Sequence, residues 1–270
     1  MTKNQDSLRT LEHLIIDVDG VLYRGTEAIP GTGAFLDFLR ERGIGFVLAT
    51  NNATRTPEQY ADKLSGMGVM VAPGEILNSA QATASYLASI APRGTRVFVV
   101  GEVGLITALR EEGFELVEDR AEYVVAGMDF TIGYDRLADA TLQIRAGAQF
   151  IGTNPDRTFP SERGIVPGAG SLLAFLETAT DVKPKVIGKP GTIMMEQALA
   201  RMNARAETTA MLGDRLETDI LAGKRAGLHT LLVLSGVTDW ELLEEASIQP
   251  DLVFDDVAHL HTVWKAALDG

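Results

Sequence analysis

Two aspartates one residue apart close the first apolar run of the chain. Leu14, Ile15 and Ile16 lead directly to Asp17, and Asp19 follows after a single valine. Such a run is typical of a buried strand that delivers polar side chains to the edge of a sheet. Carboxylates this close repel each other unless a proton, a cationic side chain or a hard metal ion lies among them. The pair could therefore supply a nucleophile, an acid–base group or metal ligands.

Three later apolar runs, at residues 44–49, 186–188 and 208–212, are closed by polar side chains in the same way. The polar residues that follow them are Thr50, Asn51, Asn52, Lys189, Asp214 and Asp219. Taken alone, each signal is commonly a turn or a helix cap. Because the carboxyl ends of parallel strands meet at one crevice, we expect these groups to gather there with the two aspartates.

Other motifs built from aspartate, glycine or a nucleophile do not fit the spacing. A calcium loop needs a glutamate where Ala28 stands. The two Gly-Lys pairs are followed by Pro190 and Arg225, which excludes a nucleotide-binding P-loop. Gly168 and Gly170 lack the third glycine of the dinucleotide fingerprint. No Gly-x-Ser-x-Gly occurs and there is no cysteine, so serine-elbow and thiol nucleophiles are also excluded.

The four stretches carry a resemblance to a known family. Those beginning at Asp17, Thr50, Gly188 and Gly213 resemble, in this order, the four motifs of the haloacid dehalogenase (HAD) superfamily. Residues 153–156, Thr-Asn-Pro-Asp, further resemble the subgroup with a type IIA cap, which holds NagD-type, p-nitrophenylphosphatase-like and phosphoglycolate phosphatase-like enzymes. The resemblance implies an α/β fold in which a doubly wound, Rossmann-like parallel-sheet core carries an inserted α/β cap domain of this type.

Hydrolysis of a phosphate monoester needs positive charge and alignment, because the nucleophile and the phosphoryl oxygens are both negative. A carboxylate nucleophile would divide the reaction through an aspartyl-phosphate, and a second carboxyl would protonate the leaving oxygen and then activate water. The resemblance assigns the first role to Asp17 and the second to Asp19. It also implies Mg²⁺ held by Asp17, Asp214 and the backbone carbonyl of Asp19. Asp219 would contact these ligands without binding the metal itself.

The transferring phosphoryl group needs donors of its own. The hydroxyl of Thr50 and the amides of Asn51 and Asn52 are suited to binding phosphate oxygens. The resemblance implies that Thr50 and Asn51 bind the transferring phosphoryl group. Lys189 would supply positive charge, as a catalytic residue and as a phosphate ligand. Asn154 and Asp156 are candidates for selecting the substrate, although the same residues could simply fix a turn.

About 130 residues separate the second and third motifs, far more than one crossover requires, so a separate domain must lie between them. We predict a catalytic core from residues 1–79 and 183–270 and a cap from residues 80–182. Hydrophobic periodicity predicts helices at 32–42, 57–65, 79–90, 105–112, 134–145, 170–178, 192–202, 218–226 and 259–268. Further strands are predicted at 96–100, 123–126, 149–152, 229–234 and 252–254.

Composition limits the partners. A formal net charge of −13 opposes binding to nucleic acid or to an anionic membrane, so we expect a small partner. The family resemblance implies that this partner is a phosphorylated metabolite. The first ten residues are polar and no apolar run is long enough to span a bilayer, so we expect no signal peptide and no membrane segment. Together with the lack of cysteine, this makes the cytoplasm the default location. The family resemblance alone suggests a homodimer formed through the cap.

The sequence thus predicts a Mg²⁺-dependent phosphatase of small phosphomonoesters that works through an aspartyl-phosphate on Asp17. Two alternatives stay open: a phosphotransferase of the same superfamily, and a catalytically silent module that binds a phosphorylated metabolite. Nothing in the sequence identifies the leaving group or the physiological substrate.

Overall fold

The computed structural model describes residues 6–161 and 163–269, which form two compact units. The first unit takes the described part of Met1–Thr50, together with Tyr60–Leu77 and the described part of Lys189–Gly270. The second takes Asn51–Gln59 and the described part of Asn78–Gly188. The second unit is therefore inserted in the sequence of the first. The domain boundaries given above stay a prediction.

Strands and helices alternate along most of the chain. The strands are β1 (His13–Ile16), β2 (Tyr23–Arg24), β3 (Glu27–Ala28), β4 (Gly45–Thr50), β5 (Ile76–Asn78), β6 (Arg96–Val100), β7 (Glu115–Leu116), β8 (Tyr123–Ala126), β9 (Gln149–Gly152), β10 (Thr158–Ser161), β11 (Gly164–Pro167), β12 (Lys185–Val186), β13 (Thr209–Gly213), β14 (His229–Val233) and β15 (Leu252–Phe254). The helices are α1 (Thr32–Glu41), α2 (Pro57–Gly66), α3 (Ser79–Ile90), α4 (Val103–Glu111), α5 (Tyr134–Arg145), α6 (Ala169–Thr180), α7 (Ile193–Met202), α8 (Leu221–Arg225), α9 (Trp240–Glu245) and α10 (Val257–Asp269). Short 3₁₀ turns lie at Asp6–Thr10, Pro73–Glu75 and Ala206–Thr208, and a π-helical turn at Leu216–Ile220 leads into α8.

The sheet of the first unit has the order β15-β14-β13-β1-β4-β5. The pairs from β15 through to β4 are parallel. From β1 the chain adds β4 and β5 on one side and later β13, β14 and β15 on the other. The direction of winding therefore reverses between β1 and β13, and in open α/β sheets ligands bind at such a switch point.

Both faces of this sheet are covered by helices. In β1, Leu14 and Ile16 join a core cluster with residues of α1, α2 and α10. Ile15 lies between them and is also fully buried, so it must pack on the opposite face. That face is covered by helices such as α7, which contacts β1 and β4. The doubly wound parallel core predicted from the sequence is confirmed.

The second unit has a sheet of its own, with the order β12-β9-β8-β6-β7 and parallel pairing throughout. Its core is built from β6, β8 and β9 with α5 and α6, whose buried residues include Phe98, Ile144, Phe150, Leu173 and Leu176. A separate antiparallel hairpin, β10–β11, precedes α6. The unit is a small α/β domain, as predicted for the cap.

One expectation about the strands was wrong. The third apolar run forms β12, and this strand pairs with β9 in the sheet of the second unit. It does not join the strands that carry the other three motifs. β12 has only two residues, and a run so short carries no periodicity that could specify a sheet.

The remaining helices and strands lie close to their predicted positions, and a capping box precedes α2. Thr56 N–H donates to Gln59 Oε1 at 3.0 Å, and Gln59 N–H donates to Thr56 Oγ1 at 3.3 Å. The sequence analysis missed α9 and the short strands β2, β3, β5, β7, β10 and β11. Within the described residues, no helix is long and apolar enough to cross a membrane.

Candidate active site

Asp17 follows β1 directly and lies at the switch point of the first sheet. The parallel register aligns Ile16 with Leu212 on one side and with Leu48 on the other. The Asp17 amide continues this pairing by donating to the Leu212 carbonyl at 2.8 Å. The Asp17 side chain is only 12 % exposed. The two neighbouring strands therefore fix the backbone that carries this carboxylate.

Lys189 joins the carboxylates into a cluster. Its Nζ atom lies 2.6 Å from Asp17 Oδ1 and 2.7 Å from Asp219 Oδ1, and it donates to the Ala49 carbonyl at 2.9 Å. The lysine side chain is 2 % exposed. Two carboxylate oxygens and one carbonyl oxygen thus surround the ammonium group of this buried lysine and offset its charge. Lys189 therefore lies beside Asp17, although the strand before it belongs to the other sheet.

Asp214 follows β13 and is held by its own backbone and by one carboxylate oxygen. Its carbonyl accepts from Thr238 N–H at 3.1 Å, and its Oδ2 accepts from Val237 N–H at 2.7 Å. Its Oδ1 is buried and has no hydrogen-bond partner in the described part of the chain. Desolvating such an oxygen costs free energy unless something binds it. The Asp214 carboxylate is therefore held through Oδ2, and its Oδ1 is available to bind a ligand.

Asp219 comes from the π-helical turn after β13 and is 1 % exposed. Its Oδ2 accepts from the backbone N–H groups of Asp214 at 3.3 Å and Arg215 at 3.1 Å, while its Oδ1 meets Lys189. π-helical turns widen a helix locally and recur at functional sites. Asp219 thus ties the Asp214 loop to the lysine that contacts Asp17.

The buried cluster perturbs the protonation of its members. Burial raises the pKa of Asp17 well above its usual range, against the attraction of Lys189, and the charges of Asp219 and Asp214 raise it further. For Asp214, burial and then the Asp219 charge raise the pKa to about 7. Burial alone would lower the pKa of Lys189, but the carboxylates of Asp17 and Asp219 overcome this effect and raise it. Lys189 stays charged. Its single positive charge does not offset the negative charges of Asp17, Asp214 and Asp219 when all three are ionised.

This arrangement fits a hard divalent cation. Oxygen atoms of Asp17, Asp214 and Asp219 lie within 4.8 Å of one another, and Lys189 supplies one positive charge to these three carboxylates. Mg²⁺ prefers carboxylate, carbonyl and water oxygens, and a metal at this point would bind the unpartnered Oδ1 of Asp214. The donor set and its charge therefore suit the ion that the sequence predicted.

Asp19 lies outside the buried cluster. Asp19 is exposed to solvent, two residues beyond Asp17. The next amide, Gly20 N–H, donates to the Tyr23 carbonyl at 2.9 Å. Because the peptide is planar and trans, this bond also fixes the direction of the Asp19 carbonyl. Burial and the Asp19 carboxylate both raise the pKa of Tyr23, which therefore stays a neutral phenol.

The predicted phosphate ligands are divided between the two units. Thr50 is buried at the end of β4, next to Ala49, whose carbonyl contacts Lys189. Asn51 and Asn52 belong to the second unit. Asn51 Nδ2 donates to both carboxylate oxygens of Asp156 at 3.2 Å. Asn52 is exposed and its Oδ1 accepts from the backbone and the hydroxyl of Thr54.

The two candidates for substrate selection have different surroundings within the second unit. Asn154 is 4 % exposed, and its Nδ2 donates to the Asn51 carbonyl at 2.7 Å. Its Oδ1 accepts from the Asp156 N–H at 3.2 Å, which is the bond of an Asx turn. Asp156 is half-buried and bonded to Asn51. Both residues therefore help to hold the segment that begins at Asn51.

Known proteins share this sequence and this fold. The profile of the haloacid dehalogenase-like hydrolases matches residues 14–115, and a HAD-hydrolase-like profile matches residues 186–260. The acid sugar phosphatase of Staphylococcus aureus is 41 % identical over 244 residues, which are 90 % of this chain and 94 % of the relative. The chain belongs to the haloacid dehalogenase-like hydrolases.

Solved structures place this HAD hydrolase in the NagD-type group. The 4-nitrophenylphosphatase of Thermotoga maritima has a TM-score of 0.91 at 36 % identity, covering 95 % of this chain and 98 % of its own. NagD of Escherichia coli K-12 has a TM-score of 0.86 at 36 % identity, with 92 % and 97 % covered. A glycerol phosphate phosphatase of Mycobacterium tuberculosis, crystallised with magnesium, has a TM-score of 0.89 at 36 % identity, with 96 % and 79 % covered.

The family and the cap type predicted from the sequence are confirmed, and this HAD hydrolase is an enzyme that acts on phosphoric monoesters. The sequence analysis did miss the segment after β14, which reaches Asp214. A signal for it existed, because Ser235 and Gly236 close an apolar run as the motif residues do. The sequence carries no signal for the main-chain donors of Val237 and Thr238, because every non-proline residue has an N–H.

Proposed function

We propose that this HAD hydrolase is a Mg²⁺-dependent phosphatase of small phosphomonoesters and that Asp17 carries the phosphoryl group between the two half-reactions. The cluster of buried carboxylates around Lys189 carries the proposal. Three carboxylates and one ammonium leave negative charge that a divalent cation would offset. The magnesium complex of the glycerol phosphate phosphatase from Mycobacterium tuberculosis supports this choice of metal.

The metal would be held by Asp214 Oδ1, a carboxylate oxygen of Asp17 and the backbone carbonyl of Asp19. When bound, it would withdraw charge from the phosphoryl oxygens and favour the ionised form of Asp17. Asp219 would not need to touch it, because its two oxygens already bind Lys189 and the amides of Asp214 and Arg215. Its role would be to fix the loop that carries Asp214.

Asp17 would attack phosphorus with one carboxylate oxygen while Lys189 holds the other. The 2.6 Å contact between Nζ and Oδ1 limits rotation of the nucleophile and offsets charge as the phosphoryl group arrives. Asp19 would donate a proton to the leaving oxygen. It would then accept a proton from the water that hydrolyses the aspartyl-phosphate. Thr50, Asn51 and Asn52 stay the predicted donors to the phosphoryl oxygens.

The relatives define where the substrate search should begin. Their names include an acid sugar phosphatase, a 4-nitrophenylphosphatase and a glycerol phosphate phosphatase. We therefore propose phosphorylated sugars and polyols as the first class to test. A homodimer through the cap and a cytoplasmic location stay predictions, and sedimentation would test the first.

The decisive experiment measures phosphate release from a panel of monoesters, with Mg²⁺ or with chelator, for the native enzyme and for Asp17→Asn. The panel contains 4-nitrophenyl phosphate, glycerol phosphate, sugar phosphates, phosphoglycolate, nucleoside monophosphates and pyridoxal phosphate. We expect release that requires Mg²⁺ and is lost in the variant. Asp62→Asn, at an exposed position of α2, is the matched control and should behave as the native enzyme.

The covalent step can be tested directly. Enzyme quenched during turnover is reduced with borohydride, which converts an acyl phosphate to an alcohol, and the peptide that carries residue 17 is analysed by mass spectrometry. Homoserine at this position would support the proposal. Full activity of Asp17→Asn, or release that chelator leaves unchanged, would contradict it.

A further inference from the structure

The residues Ser235, Gly236, Val237 and Thr238, called here the 235–238 segment, follow β14 and contact both loops that carry carboxylates. Ser235 and Thr238 are 5 % and 3 % exposed. None of the four belongs to a motif identified in the sequence. The burial of Ser235 and Thr238 next to the site therefore calls for an explanation.

The segment holds Asp214 at two points. The Val237 N–H donates to Asp214 Oδ2 at 2.7 Å, and the Thr238 N–H donates to the Asp214 carbonyl at 3.1 Å. A carboxylate that accepts at one oxygen from a fixed amide cannot rotate freely. The first bond therefore directs the other oxygen, Oδ1, which is buried and without a hydrogen-bond partner in the described part of the chain.

The same segment also holds the loop after β1. Ser235 Oγ donates to the Gly20 carbonyl at 2.7 Å, and Arg24 Nε donates to the Ser235 carbonyl. Gly20 directly follows Asp19, whose carbonyl is the third metal ligand proposed above. One segment of four residues thus fixes two loops that are about 190 residues apart in the chain.

Gly236 leaves room for the Asp214 carboxylate. A Cβ atom at this position would overlap Asp214 Oδ2 and lie 2.5 Å from Asp214 Cβ. The backbone of Gly236 is outside the left-handed region, so alanine could adopt its conformation without backbone strain. The requirement at Gly236 is therefore for space beside the carboxylate.

We propose that Gly236 and Ser235 are positioning residues that set the affinity of the site for Mg²⁺. Gly236 lets the Val237 amide approach Asp214 Oδ2, and Ser235 keeps the loop after β1 in register with it. The inference rests on the proposed function, because it takes Asp214 and the Asp19 carbonyl as metal ligands. It goes further by assigning metal affinity to residues that would not touch the metal.

Calorimetric titration of metal-free protein with Mg²⁺ tests the proposal on Gly236→Ala. We expect the Kd for Mg²⁺ to rise at least about tenfold, because the methyl group must displace the Asp214 carboxylate. Gly74→Ala is the matched control, since its added Cβ meets nothing within 4 Å and its backbone is also outside the left-handed region. Thermal unfolding in chelator reports separately on the fold of each variant.

Ser235→Ala provides a second test in case Gly236→Ala does not fold. It removes a hydroxyl without adding an atom, and we expect the Kd for Mg²⁺ to rise several-fold. Ser89→Ala is its control, because Ser89 Oγ also donates to a backbone carbonyl, that of Tyr86 at 2.6 Å, on an exposed surface. Loss of that bond should leave Mg²⁺ binding unchanged.

Each outcome decides between the two ideas. Weaker Mg²⁺ binding by the two variants but not by their controls supports the inference. Native Kd values in folded Gly236→Ala and Ser235→Ala would overturn it and leave the proposed phosphatase standing. If the native enzyme itself binds no Mg²⁺, both the inference and the metal-dependent mechanism are overturned.

Discussion

Lys189 Nζ and Asp17 Oδ1 lie 2.6 Å apart, although 172 residues separate the two in the chain. The whole second unit lies between them in sequence. The ion pair is buried, and the lysine is also bonded to Asp219 and to the Ala49 carbonyl. The final segment of the chain must therefore fold onto the first before this site exists.

Replacing Lys189 with methionine should abolish function and weaken the fold. Lys189→Met leaves the carboxylates of Asp17 and Asp219 buried without their shared cation. Removing one partner of a buried ion pair costs about 3–5 kcal/mol of unfolding free energy. Turnover should fall at least about 10²–10³-fold, as when a donor to a developing charge is removed. Urea unfolding and phosphate release measure the two effects.

The exposed Lys183 provides the control for this change. Lys183→Met should alter the unfolding free energy by no more than about 0.5 kcal/mol, as is usual for surface substitutions. A Lys189→Met variant as stable and active as Lys183→Met would show that the buried contact has neither role.

Metal-free enzyme should lose stability as the pH rises. Burial and the charge of Asp219 raise the pKa of Asp214 to about 7, whereas an aspartate in an unfolded chain has a pKa of about 3.9. Between these values the folded protein binds more protons than the unfolded chain, so the unfolding free energy falls with pH. The limit is about 1.4 kcal/mol per pH unit for each such carboxyl. Urea unfolding in chelator at pH 5 and pH 8 measures the difference.

Two further measurements separate this cause from others. Asp214→Asn cannot titrate at this position, so its stability should depend less on pH in the same interval. Mg²⁺ binds the ionised carboxylates, so adding it to native enzyme at pH 8 should restore stability and raise the unfolding midpoint. Metal-free native enzyme that is more stable at pH 8 than at pH 5 would refute the predicted sign.

The position of a functional group can be predicted from the sequence where a single strand carries it. Asp17 and Asp214 were located by the rule that parallel strands deliver polar residues at their carboxyl ends, and β1 and β13 do lie side by side. Lys189 was predicted on the same rule, yet β12 lies in the other sheet. The structure brings Lys189 to Asp17 by a route that the strand pattern does not predict.

Other parts of the site depend on contacts that no local pattern encodes. Asp219 lies in a π-helical turn, whereas periodicity predicted an ordinary helix start nearby. The amides of Val237 and Thr238 act through the main chain, and their residue types do not reveal it. Sequence reasoning left the role of Asn154 open between substrate selection and a turn, and the structure adds its bond to the Asn51 carbonyl.

Asn154→Ala should destabilise the second unit. The variant removes a buried amide that donates to the Asn51 carbonyl and accepts from the Asp156 N–H. Loss of a buried group with such bonds costs about 1–3 kcal/mol. Asn52→Ala provides a comparison, because Asn52 is exposed and its amide oxygen bonds locally to Thr54. Thermal and urea unfolding should rank Asn154→Ala below Asn52→Ala, and the reverse order would contradict a structural role.

Asp19→Asn should harm the enzyme by an amount that depends on the leaving group. The variant cannot protonate the leaving oxygen, and general acid catalysis contributes about 10²–10⁴-fold. Glycerol is a poor leaving group without a proton, whereas 4-nitrophenolate leaves readily as an anion. We therefore expect kcat/KM for glycerol phosphate to fall at least about tenfold more than kcat/KM for 4-nitrophenyl phosphate.

This ratio reports on formation of the aspartyl-phosphate, since kcat/KM covers the steps up to the first irreversible one. Equal losses for the two esters would contradict the assignment of Asp19 as the general acid.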